Sequence, residues 1–347
     1  MLQVIAGSEA ARAIEQEGMI PQLFDKWIAA SGGPKWLPLA PLDRHLSEQF
    51  LLPDQPLALM GTSSGAWRCA ALCHPQPAEA HRRLQQGYIH QRYDQAPTQA
   101  EIARQCQALL EAAFEPESRQ AMVTHPHRQL NLIACRGRGL LSAPRQGSVM
   151  AMAALTAAIN LVGRRGIAAL WQRWVFHAGS HSGFSGMSDL PTYSAQLHAP
   201  ALIAALLASG SIPMVLPGVE DLAGAAPGRY YDGGVTDYHL DLPALRQGGL
   251  TLYPHFYPYA APGWFDKSLP WRRAQDNFKR VVILAPSEAF IARLPGRKLP
   301  DRTDFRALSS AQRIDAWQQA ASMGEALIEG FEAIRQEPGR YLQRGFG

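Results

Sequence analysis

Gly61-Thr62-Ser63-Ser64-Gly65 follows the apolar run Leu57-Ala58-Leu59-Met60 and leads into the helix-compatible stretch Ala66-Trp67-Arg68-Cys69-Ala70-Ala71-Leu72. This is Gly-x-Ser-x-Gly in the strand–turn–helix setting that a nucleophile elbow requires. Gly61 and Gly65 would let strand and helix approach closely, with Ser63 on the sharp turn and its hydroxyl exposed. The helix start behind it offers unpaired N–H groups to a developing oxyanion. The central place in the motif favours Ser63 over Ser64 as the nucleophile.

A serine nucleophile also needs a group that takes or orients its proton, and donors for the oxyanion. Ser31-Gly32-Gly33 supplies two consecutive glycines after a strand, whose N–H groups can face a ligand without side-chain hindrance. Pro34 has no N–H, so the donors are Gly32, Gly33 or a later residue such as Lys35. Two arrangements satisfy the proton requirement. In a Ser–Asp–His order, Asp232 or Asp237 works with His239 or His255. In the other, Asp232 contacts Ser63 directly, which requires desolvation to raise its proton affinity or a proton transfer concerted with attack. Gly233 and Gly234, directly after Asp232, would admit the close backbone approach of such a site.

These residues need a scaffold, and the chain predicts one. Ser8 to Glu17-Gly18 reads as a helix, Phe24–Ala30 as a strand running into the glycine loop, and Pro38–Phe50 as helical before the strand at 57–60. Strand, glycine turn, helix and strand within about forty residues make a βαβ unit and argue for a parallel sheet. Helical patterns fill much of 78–123. Leu130–Cys135 and Val281–Leu284 read as buried strands, Ala201–Leu207 as a helix, and Arg229–Tyr231 as a short strand into Asp232. Residues 137–200, rich in Gly, Ser, His and Trp, read as an irregular insertion or lid. A Ser309-x-x-Gln312 capping box predicts a long C-terminal helix over 309–336. One domain over 1–347 is expected.

Composition sets the limits. The 347 residues are 47% hydrophobic and 18% charged, with a formal charge of +4 and scattered arginines, so nucleic-acid binding is not indicated. Cys69, Cys73, Cys106 and Cys135 form no Cys-x-x-Cys, which argues against a zinc or redox site and fits a reducing, cytoplasmic setting. Met1–Gly7 lacks the features of a signal peptide. His177 and His181 lie four apart, but Gly179, Ser180 and Gly183 argue against the helix that would let them share a metal. Gly183-Phe184-Ser185-Gly186 is serine-centred without the second glycine spacing or a preceding strand. No apolar window is long enough to span a membrane. The apolar, Trp-rich stretch 149–187 reads either as core or lid helices, or as an interfacial element in peripheral contact with a membrane.

Taken in order, Ser31-Gly32-Gly33-Pro34-Lys35, Gly61-Thr62-Ser63-Ser64-Gly65 and Asp232-Gly233-Gly234 resemble the patatin-like phospholipase family, and Ala208-Ser209-Gly210-Ser211-Ile212-Pro213 looks like that family's segment before the Asp-Gly-Gly. The resemblance covers roughly residues 25–290. It implies a doubly wound α/β fold with a mostly parallel central sheet flanked by helices. It further implies a Ser63–Asp232 dyad with no catalytic histidine, an oxyanion hole at the 32–33 loop, a lipid ester as substrate and no cofactor or metal. The chain departs from the family pattern where Lys35 is followed by Trp36 rather than glycine. The altered loop motivates a further alternative, a catalytically silent lipid-binding protein of the same fold.

Overall fold

The computed structural model describes residues 1–93, 95–139 and 146–346, with the backbone alone at 146–148. Its frame is a sheet of eleven strands: β1 Leu2–Ala6, β2 Phe24–Ala29, β3 Leu57–Thr62, β4 Arg128–Gly137, β5 Trp171–His177, β6 Thr192–Gln196, β7 Val219–Glu220, β8 Arg229–Asp232, β9 Leu250–Pro254, β10 Val281–Pro286 and β11 Leu342–Arg344. The order across it is β11-β1-β10-β9-β2-β3-β4-β5-β6, with β8 on β4 and β7 on β8. The five strands β10, β9, β2, β3 and β4 run parallel, whereas β1, β5 and β8 are antiparallel to their neighbours β10 and β4. The protein is therefore α/β, with a mostly parallel central sheet flanked by helices.

The apolar runs explain the central strands. β9 and β10 are buried at every position and β2 at all but one, as expected of parallel strands covered on both faces. β2 and β3 pair in parallel register from Lys26–Ala58 to Ala29–Gly61. The intervening chain winds through a 3-10 helix at Gly33–Leu39, an α-helix at Ala40–His45 and a π turn at Leu46–Phe50. The Ser64–Leu72 helix behind the elbow is buried along its whole length. It is pinned by Arg68, whose guanidinium meets Asp43 at 2.7 and 2.8 Å.

Three expectations from the sequence are corrected here. The 137–200 stretch is not irregular: among its described residues it contributes the Gln146–Val162 helix and the strands β5 and β6, while 140–145 lie outside the described residues. β5 escapes an apolar-run search because it carries Arg173, which is buried against Asp237 and Asp189. The C-terminal helix is two, Ser310–Met323 and Glu325–Gln336, divided at Gly324. A side chain at that glycine would come within 2.1 Å of the Pro38 carbonyl oxygen. The sheet also reaches beyond 25–290 at both ends, through β1 and β11.

Candidate active site

The placement of Ser63 and Asp232 follows from sheet register. β3 pairs with β4 up to Thr62–Ile133. β5 holds the other edge of β4 over Asn131–Gly137, so β8, pairing with Ala134–Arg136, takes the same edge as β3. β3 is parallel to β4 and β8 antiparallel, so the two run toward each other. β8 ends with Asp232 opposite Ala134, one residue past Ile133. Ser63, the first residue after β3, and Asp232, the last of β8, are thereby brought together.

Ser63 is held in a strained backbone conformation, φ 54° and ψ −131°, of the kind retained at functional turns. Gly65 allows the turn to close, since a Cβ there would lie 2.0 Å from the Ala29 carbonyl oxygen. Gly61 packs against the start of the same helix. The Ser63 N–H donates to Ser209 Oγ at 3.0 Å, and that hydroxyl donates to Ile133 O at 2.7 Å. The same turn receives the Gly233 N–H on Ser209 O and the Asp232 N–H on Ser211 O. Thr62 ties the elbow to the glycine loop, accepting from Ser31 N at 3.2 Å and donating to Asp237 O at 3.1 Å.

Asp232 is buried. Its Oδ1 accepts the Gly234 N–H at 2.7 Å, and among the described residues its Oδ2 closes no hydrogen bond of normal geometry. Burial pushes the carboxyl up to about 6, with the neighbouring Ser63 hydroxyl and the Gly234 N–H pulling the other way. A carboxylate with that proton affinity is a workable partner for a serine near neutral pH. Gly233 lies against the Ile133 carbonyl, and Gly234 against Ser31 and Asp232 itself.

The glycine loop faces the same space. Ser31, Gly32, Gly33 and Lys35 line one pocket of about 200 Å³ together with Ser63 and Asp232. Gly33 has φ 60°, in the left-handed region that glycine occupies at little cost. The N–H groups of Gly32, Gly33 and Ser64 donate to no protein acceptor among the described residues. Ser64 was not singled out as a donor from the sequence, although the residue after an elbow serine is the usual place for one. Lys35 contributes differently from the expectation. As third residue of the Gly33–Leu39 3-10 helix, its N–H falls at the first i→i−3 position, and its ammonium pairs with Asp301. Trp36 turns inward, edge-on to His81 and Tyr88 at 5.3 and 5.9 Å.

No protein-family model, curated protein or solved structure matches this chain.

The cationic partners of the site come from parts of the sequence that gave no signal. Lys267 and Arg302 line the pocket wall. Lys267 lies over the Tyr238 ring at 4.1 Å, and desolvation, with Arg302 and Lys35 nearby, lowers it to about 8. Among the described residues neither cation closes an ion pair with a carboxylate. The same pocket has an apolar lining that includes Trp171, Ile212, Pro213, Met214 and Val235.

The histidines offered by a triad are not in this pocket. His239 is buried, accepts the Ala261 N–H on Nδ1 at 3.0 Å and stacks against Tyr238. Burial and the adjacent His255 hold its pKa well below the usual value. His255, buried beside it, engages Tyr257 through Nδ1 and is lowered to about 3 by burial. Asp237 is occupied by the Arg173 guanidinium at 2.6 and 2.7 Å. Among the described residues no histidine hydrogen-bonds to Ser63 or Asp232, and no His, Cys, Asp and Glu group is arranged to hold a metal.

Proposed function

We propose that the protein is a serine acyl hydrolase of the patatin type, cleaving carboxylic esters of acyl lipids with Ser63 and Asp232. The reading is carried by one observation: β3 and β8 end head to head on one edge of β4, setting an elbow serine beside a buried aspartate of raised proton affinity. Asp232 takes the Ser63 proton as Oγ attacks the ester carbonyl. The oxyanion receives hydrogen bonds from the free N–H groups of Gly32, Gly33 and Ser64. Collapse breaks the C–O bond to the alcohol, which leaves with the proton from Asp232. Water then enters, gives a proton to Asp232 and attacks the acyl-serine; the second collapse releases the acid and returns the proton to Ser63 Oγ. The apolar wall at 212–214 suits the acyl chain, and the cationic wall of Lys267 and Arg302 a polar head.

A fluorophosphonate probe tests the proposal. Labelling is expected in the parent protein and in Ser64→Ala, and is expected to vanish in Ser63→Ala. A folded parent that neither labels nor hydrolyses short-chain p-nitrophenyl esters would instead identify a silent lipid-binding protein.

A further inference from the structure

The Gln146–Val162 helix is built inside out. None of its 17 residues is charged. Among its described side chains the polar ones point inward: Thr156 is buried and accepts the Trp171 indole N–H at 3.0 Å, while buried Asn160 donates to Asp266 at 2.7 Å. Its solvent face repeats at helical spacing through Met150, Ala154, Leu155, Ala158, Leu161 and Val162, with no polar residue among them. Leu161 is 63% exposed and Val162 93%. A helix lying on a water-facing surface shows the opposite pattern, and a continuous exposed apolar strip marks an interaction face.

Two further features say what covers it. Trp271, 75% exposed, extends the strip, because the neighbouring Arg272 clamps its short turn to the helix end by donating to the Asn160 and Leu161 carbonyls at 2.5 and 3.0 Å. An exposed tryptophan beside an apolar strip suits the headgroup level of a bilayer. The sequence between Glu117 and Asp189 holds no acidic residue, although Arg128 and Arg173 there are buried and Arg164 is paired with Asp189 and Asp237. Arg165 and Arg273 stand exposed near the helix end. A second copy of the protein would set these two exposed arginines against their own like, whereas an anionic lipid surface complements them.

We infer that the Gln146–Val162 helix and Trp271 form a docking face for an anionic lipid bilayer. The face stands independently of the hydrolase reading. Only its consequence rests on that reading: Ala153 of the same helix lines the Ser63 pocket, so docking would bring the pocket to the lipid surface.

The test uses Ser63→Ala protein, so that no turnover is involved, and co-sedimentation with vesicles of phosphatidylcholine alone or mixed with phosphatidylglycerol. Binding is expected to the mixed vesicles and to be weaker on phosphatidylcholine alone. Leu161→Glu with Val162→Glu is expected to lower partitioning at least about tenfold, and Trp271→Ala severalfold. The positions are exposed, so circular dichroism and thermal unfolding should be unchanged. Absence of binding to either vesicle, or equal binding by parent and variants, overturns the inference. So does a dimer in sedimentation that becomes monomeric in the double variant, which would make a second copy the occupant.

Discussion

The Ser209 hydroxyl receives the Ser63 amide hydrogen at 3.0 Å and passes its own proton to the Ile133 carbonyl at 2.7 Å. One buried side chain thus fixes the Ser63 backbone against β4. Its main chain, through Ser209 O and Ser211 O, holds Gly233 and Asp232. The turn at 209–211 is the brace that keeps both halves of the proposed dyad in register.

Ser209→Ala should therefore leave the Ser63 N–H without its partner in a buried setting. The expected loss is about 1–2 kcal/mol of stability, measured by urea unfolding. On a p-nitrophenyl ester, kcat should fall while KM holds, because the variant loosens the nucleophile rather than the pocket. An unchanged kcat would remove Ser209 from the positioning role.

Asp232 makes stability and activity depend on pH in opposite senses. Its folded pKa, about 6, lies above that of an unfolded aspartate. Between the two values the folded state keeps a proton that the unfolded state has lost, so stability falls as pH rises through that window and stays lower above it. Asp232→Asn should match the parent near about pH 4 and exceed it at about pH 7, by on the order of 3 kcal/mol. Activity needs the carboxylate, so kcat/KM of the parent should climb through about pH 6. A variant of equal stability at neutral pH would show that the carboxylate is not destabilised by burial.

Much of this site is local in the chain and was therefore legible in it. The Ser63 elbow is written as strand, glycine turn and helix, apolar runs at 24–30, 57–60 and 130–135 announce three strands, and 229–231 reads as a short strand leading into Asp232. The capping box at Ser309 and Gln312 is likewise read off directly. What resisted reading depends on distant partners. β5 carries a buried arginine, tolerated because Arg173 meets Asp237 and Asp189. The break at Gly324 is set by contact with Pro38, nearly three hundred residues away. The cationic pocket wall comes from Lys267 and Arg302, in loops whose sequences carry no pattern. From the residues alone, direct pairing of Asp232 with Ser63 stood beside a triad and the family resemblance favoured it; the residues left it open because it depends on which edge of β4 receives β8.

The strain at Ser63 gives a separate handle. A side chain at φ 54° and ψ −131° costs roughly 1–3 kcal/mol, part of which glycine gives back through its freer unfolded chain. Ser63→Gly and Ser63→Ala should both be inactive, yet the glycine variant should be the more stable by about 1 kcal/mol. Equal unfolding midpoints would show that the elbow carries no strain.

The sharpest division between a dyad and a triad lies in His239 and His255. A triad histidine must reach the serine, take its proton near neutral pH and be oriented by a carboxylate. Here both rings are buried away from the pocket, with their pKa values depressed. They engage Ala261 and Tyr257 through the main chain, and Asp237 is committed to Arg173. His239→Gln and His255→Gln are therefore expected to lower stability, since each removes a buried ring from a packed aromatic cluster. Turnover per active site should stay within about threefold of the parent, against the loss of about a thousandfold or more that removal of a triad base brings. Counting active sites with a fluorophosphonate separates the two effects, because unfolded protein does not label. A thousandfold loss at either histidine, with labelling stoichiometry preserved in the folded fraction, would replace the dyad with a triad.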